Sequence, residues 1–385
     1  MKAIVTGMIA TYPLGGVVWD YAQYALGLER MGFDVYYLED TALQPYDPPR
    51  REYLEDSRYG VEFLARSLAK LSPTLGTRWH YRTLDGRRFG MSSADFAQAI
   101  SGATLFLNVS GSALMRDEYL ACPRKVLVDT DPGRNHFLNY PQDDAGKTAA
   151  GNNGFRAHDF FLTYAERIGA SDCVLPTFGL PWRATRPPVL LDAWKPTPPG
   201  AAWTTVMSWK NFADVIEYEG VRYGSKEMEF DKIKTLPTRC AVPLQIATGG
   251  SPPVDEWIAN GWSVIDAHEV SSSADVYRDY IQQSRGELSV AKNTYVATRS
   301  GWFSCRSVCY LAAGRPVVVQ DTGFSKVIPC GSGLFAFSSI EEAAAALEEI
   351  EADYGKHQNA AREIAAAYFS HSVVLEKLLR DVGLG

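Results

Sequence analysis

The stretch GWFSCRSVCYLAAGRPVVVQDTG, residues 301–323, restricts the possible folds more than any other part of the chain. It reads as a small-residue loop, a helix, a tight turn and a buried strand. Val308, Leu311 and Ala312 are spaced to face a core from one side of a helix. Ser304 is positioned to cap the first turn, and Gly314 to end the helix in the left-handed conformation. Val317, Val318 and Val319 form a continuous apolar run, the pattern of a strand covered on both faces in a parallel sheet. Asp321, Thr322 and Gly323 follow at that strand's carboxyl edge, where open α/β sheets bind ligands. A helix start beside such a loop offers backbone N–H groups and the positive end of a dipole, which suits a phosphate. The N–H groups of Gly301, Trp302, Phe303 and Ser304 are the candidates, with Arg306 and Ser307 one turn into the helix. Arg306 would add a charge-assisted, bidentate contact.

The run LAAGRPVVVQDTGFSKVIP resembles the C-terminal domain of GT-B glycosyltransferases. The resemblance implies an α/β chain of two Rossmann-like doubly wound domains facing across a cleft. It also implies that the loop and helix hold the diphosphate of a nucleotide sugar. The glutamate pair of the retaining members falls on Trp302 and Cys309, neither of them acidic. The pattern is closer to a divergent group similar to spore-maturation glycosyltransferases, whose helix opens with Ser/Arg, and Arg306-Ser307 stands at the matching place.

Composition is compatible with this. A chain of 385 residues with 46% apolar content can fill two cores. A net charge of −7 argues against a surface that tracks DNA or RNA phosphates. The six cysteines form no CxxC, and no histidine stands at zinc-finger spacing from them, so no metal site is expected. No run approaches a membrane span, and the N-terminus lacks the apolar core of a signal peptide, so a cytoplasmic protein is expected.

In chain order, residues 3–9 read as a strand, 17–31 as a helix and 33–38 as a second strand, the opening of a doubly wound sheet. Gly15 and Gly16 between them do not make a dinucleotide fingerprint. The resemblance lays such a loop over the cleft, and a plain strand-to-helix turn is the alternative. A strand at 125–129 ends in Asp129-Thr130-Asp131, two carboxylates at a carboxyl edge. Asp129 is the first candidate for a base that takes the acceptor's proton, with Asp131, His158 and Glu166 behind it. Turn capping by the aspartates and a core role for the histidine are the bland readings. Residues 139–156 read as a polar loop. The domains are expected at 1–185 and 201–365, joined by a proline-rich linker at 186–200. A terminal helix within 372–385 is expected to cross back to the first domain.

In the second half, Lys210 follows a strand at 204–208, and Lys226 precedes a helix at 227–236. Both match in order the basic residues that the family sets against a diphosphate, with a solvated surface lysine as the alternative. His268 lies where the family reads the nucleotide base. The expectation is therefore a metal-independent, cofactor-free transferase, inverting because the glutamate pair is missing. It would use a nucleotide-diphospho-sugar donor and a small-molecule or glycan hydroxyl acceptor. A nucleotide-sugar epimerase of the same layout, or a non-catalytic nucleotide-sugar-binding paralogue, are the alternatives. Arg306→Ala is expected to abolish donor binding while the melting temperature stays near wild type.

Overall fold

The alternation of apolar runs with helical stripes resolves into two parallel sheets in the structure, a computed structural model that describes residues 1–141, 154–209 and 215–385. The first sheet uses β1 (Lys2–Thr6), β2 (Asp34–Glu39), β3 (Trp79–Arg82), β4 (Arg88–Gly90), β5 (Ala103–Val109), β6 (Lys125–Asp129), β7 (Phe160–Thr163) and β8 (Arg183–Ala184). Their order is β8-β7-β6-β5-β1-β2-β3-β4, and only β4 runs antiparallel. The second sheet uses β9 (Trp203–Ser208), β10 (Leu244–Gly249), β11 (Ser263–Asp266), β12 (Gly286–Ser289), β13 (Val317–Gln320) and β14 (Leu334–Phe337). It is wholly parallel, in the order β11-β10-β9-β12-β13-β14. Each sheet reverses direction at its first strand, the topological switch that opens a crevice at the carboxyl edge.

Four helices meet where the two lobes join: α1 (Gly15–Arg30), α2 (Ala274–Gln282), α3 (Cys305–Ala312) and α4 (His371–Asp381). One apolar core runs through them from Val5 and Trp19 to Val308, Leu311 and Phe369. α3 ends as its sequence requires. Gly314 has φ +67, its N–H donates to Leu311 O, and Arg315 N–H donates to Tyr310 O. That is the paired closure of a left-handed cap. Ser304 occupies the N-cap position, but its side chain makes no capping bond. β13 is buried along its whole length, as the valine run predicts.

Several expected elements differ. The helix expected at 227–236 is one turn, Glu227–Phe230, followed by turns and the short helix Leu236–Thr238, where Pro237 cannot extend an α-helix. The proline-rich segment is fixed in place. Trp194 is fully buried within it, and Val189 pairs with the backbone at Phe369 and His371. A hairpin, Ile216–Tyr218 with Val221–Tyr223, escaped the sequence reading although Glu219-Gly220 is a turn signal. It stacks Tyr218 and Tyr223 on Phe137 of the first lobe, at 4.6 and 4.5 Å. Among the described residues no helix is long and apolar enough to cross a membrane.

The start of α1 is pressed onto the second lobe. Gly15 N–H donates to Ser271 O at 2.6 Å, and the Trp19 indole donates to Ala274 O at 2.8 Å. A Cβ on Gly15 would stand 2.1 Å from Ser273 O, and one on Gly16 3.2 Å from the Tyr277 ring. Gly15→Ala is therefore expected to lose about 1–3 kcal/mol of stability and to part the lobes. Thermal unfolding and a larger radius of gyration in small-angle scattering would register both effects.

Candidate functional site

The carboxyl edge of the second sheet carries a cluster of positive charge. Arg306, in the first turn of α3, turns its guanidinium onto β9 and β12. Nε donates to Glu287 Oε1, Nη2 to Ser289 Oγ and Nη1 to Val206 O, each at 2.6 Å. Every branch of the fork is thus taken by β9 and β12. Glu287 is fully buried, and its second oxygen has no hydrogen-bond partner. Removing Arg306 would strand that carboxylate, so the expectation that Arg306→Ala keeps its melting temperature is corrected: breaking such a pair costs about 3–5 kcal/mol.

Lys226 lies beside this pair. It is only 8% exposed, and its ammonium has no ion pair or hydrogen bond among the described residues. Burial pushes its pKa well below the usual lysine range, Arg306 and Lys292 push it further, and Glu287 opposes them. An ammonium in this position is costly unless an anion joins it. Ser307, 1% exposed, has an unpartnered hydroxyl as well. It borders a cavity of 20 Å³ together with Ser289, Trp302, Ser304, Arg306 and Thr322, room for about one water. Lys210 lies outside the described residues.

The loop before α3 is zipped to the loop after β13. Gly301 N–H donates to Thr322 O, Trp302 N–H to Ser300 Oγ, and Thr322 Oγ1 to Trp302 O. Two of the four amides expected to face a phosphate are therefore occupied by protein in this structure. Phe303 is buried against Phe324 and Phe369, a core residue. Asp321 accepts from Gly323 N–H and from the Ser325 hydroxyl, tying its strand end to the turn at Phe324–Lys326. Gly301 and Gly323 have φ +77 and +94, and a Cβ on either would collide with the Arg167 side chain, which reaches in from the first lobe.

The acidic and histidine candidates of the first lobe separate by environment. Asp129 is fully buried and accepts from Asn135 at 2.9 Å, Thr163 at 3.0 Å and His136 at 3.1 Å. It anchors a core network and has no surface on which to meet an acceptor. Asp131 crosses the seam, accepting from Lys292 Nζ at 2.6 Å and from the Tyr295 hydroxyl. Glu166 is held by both branches of Arg186, at 2.5 and 2.8 Å. His158 accepts at Nε2 from Asn108 and donates from Nδ1 to Phe155 O. Burial lowers its pKa to about 4, so it is a neutral core residue. His268 joins the lobes as well, 2.8 Å from the Tyr46 hydroxyl and 3.0 Å from Asp266, which also holds Arg51.

One group in this region escaped the sequence reading. Asp20 of α1 lies in the seam against the start of α3. Its carboxylate accepts from the Cys305 thiol and feels the charge of Arg306, while burial, the larger effect, raises its pKa to about 6. The available signal was its place on α1: it stands off the apolar stripe of Tyr21, Tyr24, Ala25 and Leu28, close behind Gly15-Gly16.

No family model matches the chain, and no curated protein matches it in sequence. Solved structures do match its fold. It is similar to AviGT4, a glycosyltransferase involved in avilamycin A biosynthesis, with 12% identity, TM-score 0.51, and 100% of this chain and 97% of that one covered. It is also similar to sucrose-phosphate synthase from Thermosynechococcus elongatus, with 13% identity, TM-score 0.53 and 100% and 99% covered. A third is Anabaena HepE, solved with UDP and glucose, with 11% identity, TM-score 0.54 and 100% and 99% covered. The fold is that of the GT-B glycosyltransferases: two Rossmann-like lobes, each an α/β sheet of parallel strands.

Two measurements test the structural roles assigned to the first lobe. Asp129→Ala leaves the donors of Asn135, His136 and Thr163 unanswered and should cost about 2–4 kcal/mol in denaturant unfolding. His158 has a depressed folded-state pKa. The stability that it supplies is therefore full above its ordinary 6.5 and is lost as pH falls through about 4. His158→Gln should flatten the stability profile across that window, and an unchanged slope would contradict a neutral, buried ring.

Proposed function

We propose that this chain is a glycosyltransferase, moving a sugar from a nucleotide-diphospho-sugar donor to a hydroxyl acceptor with inversion and without a metal. One observation carries the reading. Lys226 is a buried ammonium with no partner among the described residues, set beside Arg306 at the carboxyl edge of the second sheet. A diphosphate is the kind of anion that would satisfy it, and open α/β sheets bind ligands at this edge.

In this mechanism Lys226 neutralises the charge that builds on the departing phosphate, where other enzymes use a metal. Arg306 supports it at a distance by keeping α3 seated, and the Ser304 and Ser307 hydroxyls and the Phe303 and Ser304 amides complete the phosphate contacts. Lys210 would add a second ammonium. His268 and the Gly15-Gly16 turn would border the nucleotide and the sugar, and Asp321 to Gly323 would support the sugar from below. The cavity beside Ser307 has a volume of 20 Å³ and is too small for a diphosphate, so the lobes part to admit the donor. The likeness of Arg306-Ser307 to the spore-maturation-type group belongs to this proposal, although the Glu287 pair gives Arg306 a structural reason of its own.

Lys226→Met tests the proposal with opposite signs in two measurements. A buried ammonium without a partner destabilises the protein, so the variant should melt at or above the wild-type temperature. Its affinity for UDP, GDP, ADP or dTDP, whichever raises the wild-type melting point, should fall by about tenfold or more. Unchanged nucleotide affinity would remove Lys226 from the donor site. Incubating the wild type with the nucleotide sugar alone separates transfer from epimerisation, since an epimerase needs no acceptor.

A further inference from the structure

A lysine stem is long and flexible, and it turns its ammonium out to water whenever it can reach. Lys226 is only 8% exposed and has no ion pair or hydrogen bond among the described residues, so something other than its own charge keeps it in place. Its backbone supplies the reason. Lys226 sits within the segment Gly224 to Phe230, and that segment is bonded at both ends.

At the first end, Gly224 and Ser225 lie against the opening residues of the helix Asn293–Thr298. Gly224 N–H donates to Asn293 Oδ1 at 3.0 Å, and Asn293 N–H to Ser225 O at 3.1 Å. Thr294 donates twice to Gly224 O, from its N–H at 3.2 Å and from its hydroxyl at 3.0 Å. At the second end, the N–H groups of Glu229 and Phe230 donate to Lys226 O, at 3.0 and 2.8 Å. The Phe230 ring is packed among Trp209, Trp257 and Trp262.

The side chain of Asn293 joins the two ends. Its oxygen accepts from Gly224, and its Nδ2 donates to Glu229 Oε1 at 2.8 Å. Glu229 is fully buried, and its other oxygen accepts from Gln320 Nε2 and from Lys232 Nζ. Gln320, the last residue of β13, accepts in turn from Ala291 N–H at 3.2 Å. The bonds therefore run from the carboxyl end of β13, through a buried carboxylate and a side-chain amide, to the backbone that carries Lys226. Every member belongs to the second lobe, so the arrangement does not depend on the seam. An aspartate in place of Asn293 could accept from Gly224 but would set a second carboxylate against Glu229. Only a group that both accepts and donates satisfies the two neighbours at once.

We propose that Asn293 is a positioning residue of the anion site, acting through Lys226, with Glu229 and Gln320 holding its amide in the required orientation. This rests on the transferase reading above. The network fixes the backbone under Lys226 and keeps its stem from turning out to water. The ammonium is then already ordered when a diphosphate arrives, and binding does not have to order it.

The test uses the full chain and whichever of UDP, GDP, ADP and dTDP raises the wild-type melting point, with amide hydrogen exchange as a second readout. Asn293→Ala removes both bonds of the amide. Residues 222–230 should then exchange about tenfold faster than in wild type, while β9 and β13 keep their protection. Nucleotide affinity should fall about fivefold to tenfold. The same substitution made in Lys226→Met should change affinity by less than about twofold, because the residue through which it acts is gone. Asn293→Asp, of the same size, should also weaken nucleotide binding. Unchanged exchange at residues 222–230 overturns the clamp. Faster exchange with wild-type affinity, or an equal loss with and without Lys226, overturns the positioning role and leaves Lys226 in the site. A wild type that binds none of the four nucleotides removes the transferase reading itself, and this role with it.

Discussion

The buried pair of Glu287 and Arg306 is the contact on which the geometry of the second lobe depends. Bringing a carboxylate and a guanidinium out of water is expensive, and the pair recovers that cost through the added bonds to Ser289 and Val206. Its effect is positional. It ties the first turn of α3 to the body of β9 and to β12 up to its last residue, Ser289, so the helix start cannot drift from the sheet. Ser307 then keeps an unpartnered hydroxyl beside Arg306, and Lys226 lies near enough to feel the charge of both Arg306 and Glu287.

The two lobes meet through polar contacts made chiefly by loops: Asp131 with Lys292 and Tyr295, Trp302 with Thr130 O, His268 with Tyr46, and Arg167 with Arg299 O. Such contacts exchange readily for water, unlike the packed helices α1 to α4. The seam therefore combines a tight helical side and a polar side at the strand ends, and the candidate site lies on the polar side.

Much of the fold was legible because its signals are local. The valine run, Gly314 and the glycine-helix-strand order fix β13, α3 and the opening unit of the first sheet. The site was less legible, because the role of a charged residue depends on what faces it from distant sequence. Asp129 and Asp131 look alike in the chain, yet one meets His136 in the core and the other meets Lys292 across the seam. Arg306 was expected to grip a ligand and instead grips Glu287, a residue with no special mark in its strand. Lys226 was identified from its awkward place at a helix start, where an ammonium is unwelcome without an anion. Asp20 went unnoticed because nothing near it in sequence announces the second lobe that it faces.

The chain passes between the lobes twice, and the two passes lie side by side. Val189 exchanges backbone bonds with Phe369 and His371, and Arg362 reaches from the return pass to Leu191 and Trp194 O. A single tether lets two bodies swivel freely. Two tethers bonded edge to edge form a ribbon that flexes easily in one direction and resists torsion. Were the lobes to part to admit a donor, this ribbon would guide them along one arc and bring Gly15 and Trp302 back to the same partners.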